Sequence, residues 1–243
     1  MSDVRLARPE LPKRFYLDVT VVKAEAGGFT TKLDGRGVKT PLRRPLVVPT
    51  LPLAERLASE WAAQAERIDP ATMALTRFAN TVIDGVADDP GAVRKDLAGY
   101  VETDMLFYRA TYPERLIERQ HAIWDPIVAW IEGELGVRFV RAEGVMHVVQ
   151  APEAVAAFRA RIDAVVDPFA VAALHQMTTL MGSAILALAV ADRRLGVDEA
   201  WEAAHLEEDW NVAQWGMDAE AAARRTARLA DMRIAAEFLD ALR

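Results

Sequence analysis

The sequence predicts an α+β protein, with a small N-terminal antiparallel β domain over residues 1–51 and a larger multi-helical domain over residues 52–243. Three observations carry this. Between Phe15 and Val48 apolar and polar residues alternate, the period of a half-buried strand. From Pro52 onward apolar residues recur at three- and four-residue spacing, the period of a helix face. Prolines then mark the points where one helix gives way to the next. With 243 residues, 52% of them hydrophobic, and a mean hydropathy of +0.03, the chain can bury one large core or two modest ones.

Taken in order, Phe15, Leu17, Val19 and Val21 share one face of the first strand, and Tyr16, Asp18, Thr20 and Val22 the other. Turn signals at Ala26–Gly28 and Asp34–Gly37 flank "FTTKL", which gives a small meander. Pro41, Pro45 and Pro49 restrict the next stretch to edge strands or an extended exit. Arg36, Lys39, Arg43 and Arg44 make this corner basic, as edge protection against strand pairing or as a binding patch. Leu53, Leu57, Trp61, Gln64 and Ile68 form the stripe of a first helix, with Trp61 docked into the core. A second helix carries Leu75, Phe78, Ala79, Val82, Ile83 and Val86. Further helices are predicted over 90–108, over 113–135 with a kink at Pro126, and over 152–166, with a short hairpin around Glu143-Gly144 before the last of these. Asp167–Gly196 reads as a single buried central helix. Its polar residues, Ser183 among them, interrupt the roughly 18 to 20 clean apolar residues that spanning a bilayer requires. Helices over 197–214 and 218–242 complete the chain.

Composition narrows the function. A net charge of −7 and a pI near 5.2 oppose nucleic acid as the main ligand, because phosphate contacts require Lys and Arg. Cysteine is absent, which removes disulfides, thiolate metal sites and a cysteine nucleophile, and fits a reducing compartment. The N-terminus lacks the apolar run of a secretory signal, so a cytoplasmic location is expected. Neither Gly27-Gly28 nor Gly35/Gly37 leads into a Lys-Ser/Thr helix start, so no nucleotide requirement is expected. His205 stands three residues before Glu208 and four before Asp209, a spacing compatible with a metal on one helix. A second ligating helix would be needed and no matching Glu-x-x-His is present, so neither metal nor cofactor is expected. Glu102, Asp104 and Arg109 sit among large apolar residues, as ion-pairing groups or as an acid/base pair.

The most informative stretch is "HLEEDWNVAQWG", His205–Gly216. On a continuous helix at about 100° per residue, Val197, Trp201, Ala204, Glu208, Val212 and Trp215 share one narrow stripe. A buried, unpaired carboxylate is costly. Glu208 is therefore expected to meet an internal arginine such as Arg193, Arg194 or Arg225, to open into a cleft, or to be held for a partner.

Five blocks, "LDGRGVKTP", "SEWAAQAERIDPATMALTRFANTVID", "ETDMLFYR", "WDPIVAW" and "LEEDWNVAQWG", resemble in that order those of one family. It is the family of assembly chaperones for the catalytic head of the F-type ATP synthase, the members that handle the α subunit in mitochondria and α-proteobacteria. The resemblance runs from about Phe15 to about Arg228. It implies a two-part fold and a non-enzymatic, bacterial, cytoplasmic chaperone. Such a protein holds the unassembled α subunit, covers the surface later given to the β subunit, and releases its client as the head assembles. It also implies a partner-binding site at Glu207, Glu208, Asp209, Gln214 and Trp215. Asn211 stands where the family usually has Gln, and Gln214 where a basic residue is common. The acidic, Trp- and His-containing segment usual after the Trp-Gly pair is missing from "MDAEAAARR". The competing reading is a carboxylate- or metal-dependent hydrolytic enzyme using His205 and Glu208.

Overall fold

A computed structural model describes residues 10–144 and 146–243. By compactness the chain divides after Asp84, later than the boundary at residue 51 suggested by where the strand pattern ends. The reason is that the first helix packs on the sheet and the second packs on the first.

In the first unit the strands are β1 (Val19–Lys23), β2 (Phe29–Leu33), β3 (Arg36–Gly37) and β4 (Val47–Val48). β2 is central: β1 pairs with it antiparallel along its length, while β3 and β4 each pair antiparallel with one end of it. Gly28 enters β2 at φ 77°, and a Cβ there would lie 2.6 Å from the Val48 carbonyl oxygen, so this crossing requires glycine. The expected first strand begins only at Val19, and ahead of it the core takes the opposite parity. Tyr16 is 2% exposed, while Phe15 and Leu17 are 71% and 87% exposed. Tyr16 wins because its hydroxyl donates to the Trp61 carbonyl at 2.7 Å and its ring meets the Trp61 indole edge-on.

Helix α1 (Leu51–Ala62) starts at Thr50, whose hydroxyl accepts from Leu53 N, and buries Leu53, Ala54 and Leu57. Its Glu60 then caps α2 (Ala74–Thr81), accepting from Leu75 N at 2.8 Å and Thr76 N at 2.7 Å. Asp84 accepts from the Thr40 hydroxyl at 2.6 Å and from Leu42 N at 3.0 Å, fixing the basic corner.

The second unit opens with α3 (Pro90–Gly99). The expected helix to Tyr108 ends there, replaced by two single 3-10 turns and the two-residue strand β5 (Tyr108–Arg109). Helix α4 (Glu114–Leu135) carries Pro126 inside it and stops at Gly136, φ 67°. The chain then returns as β6 (Ala142–Glu143), which pairs parallel with β5 and so replaces the hairpin expected at Glu143-Gly144. Buried Glu132 directs this path: it accepts from Phe139 N at 2.8 Å and pairs with Arg138, and the Phe139 ring stacks on Phe107.

After α5 (Pro152–Asp163), the apolar stretch expected as one central helix is two, α6 (Pro168–Met181) and α7 (Ala184–Ala191). Gly182 at φ 71° ends the first, and Ser183 starts the second by accepting from Leu186 N at 3.0 Å. Behind this bend Asp104 is fully buried. Its Oδ2 accepts from the Ser183 hydroxyl at 3.0 Å and from Ile185 N at 3.2 Å, and its Oδ1 from Leu106 N. Burial outweighs these bonds and pushes its carboxyl up to about 6. Every residue of α7 is buried. The chain ends with α8 (Val197–Ala204), α9 (Leu206–Trp215) and α10 (Ala219–Asp240), the last packed on α6 with Phe238 stacked on Phe169. Among the described residues no helix is long and apolar enough to cross a membrane.

Candidate partner-binding site

The helix predicted over residues 197–214 is broken at His205, where φ −106° and ψ 18° leave the helical region. The break undoes the continuous stripe that set Glu208 among apolar residues. Trp201, before it, is 4% exposed; Glu208, after it, is exposed, and Trp215 is 88% exposed. Glu207, Glu208 and Asp209 occupy the first turn of a new helix, where carboxylates complement the free N–H groups and the helix dipole. That local role accounts for an acidic triplet at this point. Leu206 is the buried residue of α9.

What holds α9 is polar. Asp209, not Glu208, makes the internal ion pair with Arg225, at 2.5 Å, and this bond raises the arginine's pKa. Glu207 accepts from Gln120 Nε2 at 2.5 Å. Gln120 is completely buried on α4; its Oε1 accepts from Ala110 N at 2.8 Å and its carbonyl from Arg109 Nη1 at 3.3 Å. Arg109, 6% exposed, reaches Asp125 at 2.8 Å and lies over the Trp124 ring at 5.2 Å. Burial pulls the Arg109 pKa down against the opposing pull of Asp125. Burial pushes Asp125 up, but its bond to His121 and the Arg109 charge prevail and hold it below the usual carboxylate range. Trp124 donates its indole N–H to the Ala203 carbonyl at 2.8 Å, next to the break. The blocks "ETDMLFYR", "WDPIVAW" and "LEEDWNVAQWG" thus meet at one place. Beside it lies an open cleft of about 520 Å³, bordered by Tyr108, Thr111, Tyr112, Leu116, Glu207 and Asn211.

Of the five residues expected to bind a partner, Glu207, Glu208, Gln214 and Trp215 are exposed along α9 and Asp209 is half-buried in its ion pair. Gln120 was not among the expected site residues. The signal for it is a polar residue on the buried stripe Leu116, Gln120, Trp124, Val128. The alternative acid/base groups are not assembled: Glu102 is exposed while Asp104 is committed to the bend at Ser183. The His205 ring is turned to the Trp201 carbonyl, Nδ1 at 2.8 Å, and burial lowers its pKa. Among the described residues no three His, Asp or Glu side chains come close enough to hold a metal ion.

A short exposed helix with three carboxylates in its first turn stands beside an open cleft, features that interaction surfaces share. Comparison with known proteins gives the class its family. The family described as ATP12 chaperone protein matches residues 13–132. The chain shares 51% identity with a candidate chaperone from Agrobacterium tumefaciens, over 96% of this chain and 87% of that one, with a TM-score of 0.91. With Atp12 from Paracoccus denitrificans it shares 40% identity over 96% of this chain and 99% of that one, with a TM-score of 0.92. A variant of the Paracoccus protein with an aspartate replaced by lysine superposes equally well. The chain belongs to the ATP12 chaperone family.

Proposed function

We propose that this chain is a non-enzymatic assembly chaperone for the α subunit of the F-type ATP synthase head. It acts in the bacterial cytoplasm without a nucleotide, and covers the client surface that later meets the β subunit. The observation that supports this most is α9. Glu208, Gln214 and Trp215 are exposed on a helix attached to the body through Leu206, Asp209 and one oxygen of the also exposed Glu207. An exposed tryptophan on a helix that also presents carboxylates is the composition of a binding hot spot. Membership in a chaperone family supports a protein client.

The test is co-purification with the α subunit, expressed alone and again with β, with β by itself as the control. A soluble complex with α that dissolves when β is present is expected. No complex where α is otherwise soluble would overturn the reading. Because Glu208 is exposed, Glu208→Lys is expected to leave the melting temperature within about 2 °C of wild type while reducing client binding at least tenfold, roughly 1.4 kcal/mol. A large loss of thermal stability would place Glu208 in the fold instead.

A further inference from the structure

The cleft beside α9 has a charge arrangement that the exposed face of that helix does not explain. Arg109 lines it, but its charge is matched by Asp125 at 2.8 Å. Glu207 also lines it, with Oε1 held by Gln120 and, among the described residues, no partner on Oε2. The uncompensated charge facing the cleft is therefore a carboxylate whose position is fixed. Exposed glutamates ordinarily sample several rotamers, and holding one in place removes that entropy before any ligand arrives.

Gln120 does the holding in a way few side chains can. Its Oε1 accepts from the Ala110 backbone N–H while its Nε2 donates to the carboxylate. A glutamate in its place would have no donor for Glu207, and a leucine would strand the Ala110 N–H. The remaining walls suit the stem and face of a long cation. Tyr108 and the 83%-exposed Tyr112 offer aromatic rings, Leu116 an apolar floor, and Asn211 a rim amide.

We propose that this cleft is a subsite for an arginine or lysine side chain of an extended client segment, and that Gln120 is the positioning residue that presents Glu207 to it. Which protein supplies the side chain rests on the chaperone function proposed above. Charge complementarity favours a basic occupant: from Gly85 onward the chain carries 26 Asp and Glu against 16 Lys and Arg.

The test uses the full chain in two arms. In the first, the ¹⁵N-labelled protein is titrated with N-acetyl-arginine amide and, separately, with N-acetyl-glutamate amide. The Gln120 side-chain amide and the Ala110 backbone amide are expected to shift with the arginine probe and not with the glutamate probe. Glu207→Gln keeps an acceptor for Gln120 and removes the charge, and is expected to weaken the arginine response at least tenfold with an unchanged thermal transition. Gln120→Glu, with Glu207 intact, is expected to weaken the arginine response as well, and because it buries a carboxylate it is compared only at temperatures where its own thermal transition shows it folded. No shift with arginine, or an equal shift in Glu207→Gln, overturns the subsite. In the second arm, Glu207→Gln is expected to bind the α subunit about tenfold more weakly than wild type. Equal binding overturns the client assignment, and so does a self-association that Glu207→Gln abolishes. Arginine binding by a wild-type chain that forms no complex with the α subunit would leave the subsite standing and sink the choice of client.

Discussion

Asp104 and Glu208 show how differently one residue type is used. Asp104 is a carboxylate the core accommodates, with three hydrogen bonds around it, whereas Glu208, which falls on an apolar stripe of the sequence, lies in solvent. Burial raises the Asp104 pKa from 3.8 to about 6. In the folded state it therefore keeps its proton at pH values where the unfolded chain has lost it. The associated stability is fully present below pH 3.8 and is lost as pH rises through about 6, on the order of 3 kcal/mol. Urea unfolding of wild type and Asp104→Asn at pH 4, 5, 6 and 7 is expected to show this downward slope in wild type and a flatter profile in the variant. Parallel profiles would rule the assignment out. The Asp104 site was half legible in the sequence. "ETDMLFYR" placed an acid among apolar residues, but its partner Ser183 lies 79 residues away, and no local pattern reports such a pairing.

At the scale of elements, periodicity found the helices and missed the interruptions within them. The breaks at Gly182 and His205 are each one or two residues wide, and the apolar pattern resumes after them almost in phase. The hydrophobic signal therefore crosses both as if the helix were continuous. At Gly182 the clue was chemical, glycine followed by a capping serine. At His205 it was electrostatic, three acids that suit a helix start. Parallel pairing of β5 with β6 had no sequence signal, since each strand is two residues long. In the sheet, Gly28 offers a direct check. Gly28→Ala is expected to destabilise the protein by about 2 kcal/mol or more, because its Cβ would meet the Val48 carbonyl at 2.6 Å as well as strain the backbone. Gly27→Ala, at φ 93° with nothing within 4 Å, is expected to cost about half as much in the same thermal melts. Equal losses would mean that backbone strain alone sets the requirement.

For the whole molecule, the family blocks mark the polar fastenings of the fold. Thr40 with Asp84 joins the first two blocks, and Arg109, Gln120, Asp125 and Glu207 gather around the others. This is why the resemblance, which gave the fold class, also directed attention to α9, while Gln120, outside the quoted blocks, stayed unseen. Charge is divided unevenly along the chain. Up to Asp84 there are 13 Lys and Arg against 10 Asp and Glu, whereas the remainder is strongly acidic. An acidic body that grips a basic client is expected to do so less firmly in salt. Titration calorimetry with the α subunit should show affinity falling about tenfold between 50 and 500 mM NaCl. An affinity independent of salt would point to an apolar grip centred on Trp215. The attachment of α9 has one more consequence. With Leu206 as its buried residue and Glu207 and Asp209 as its polar ties, substitutions at Glu208, Gln214 and Trp215 leave the core untouched, so lineages can retune this surface without passing through a chain that fails to fold.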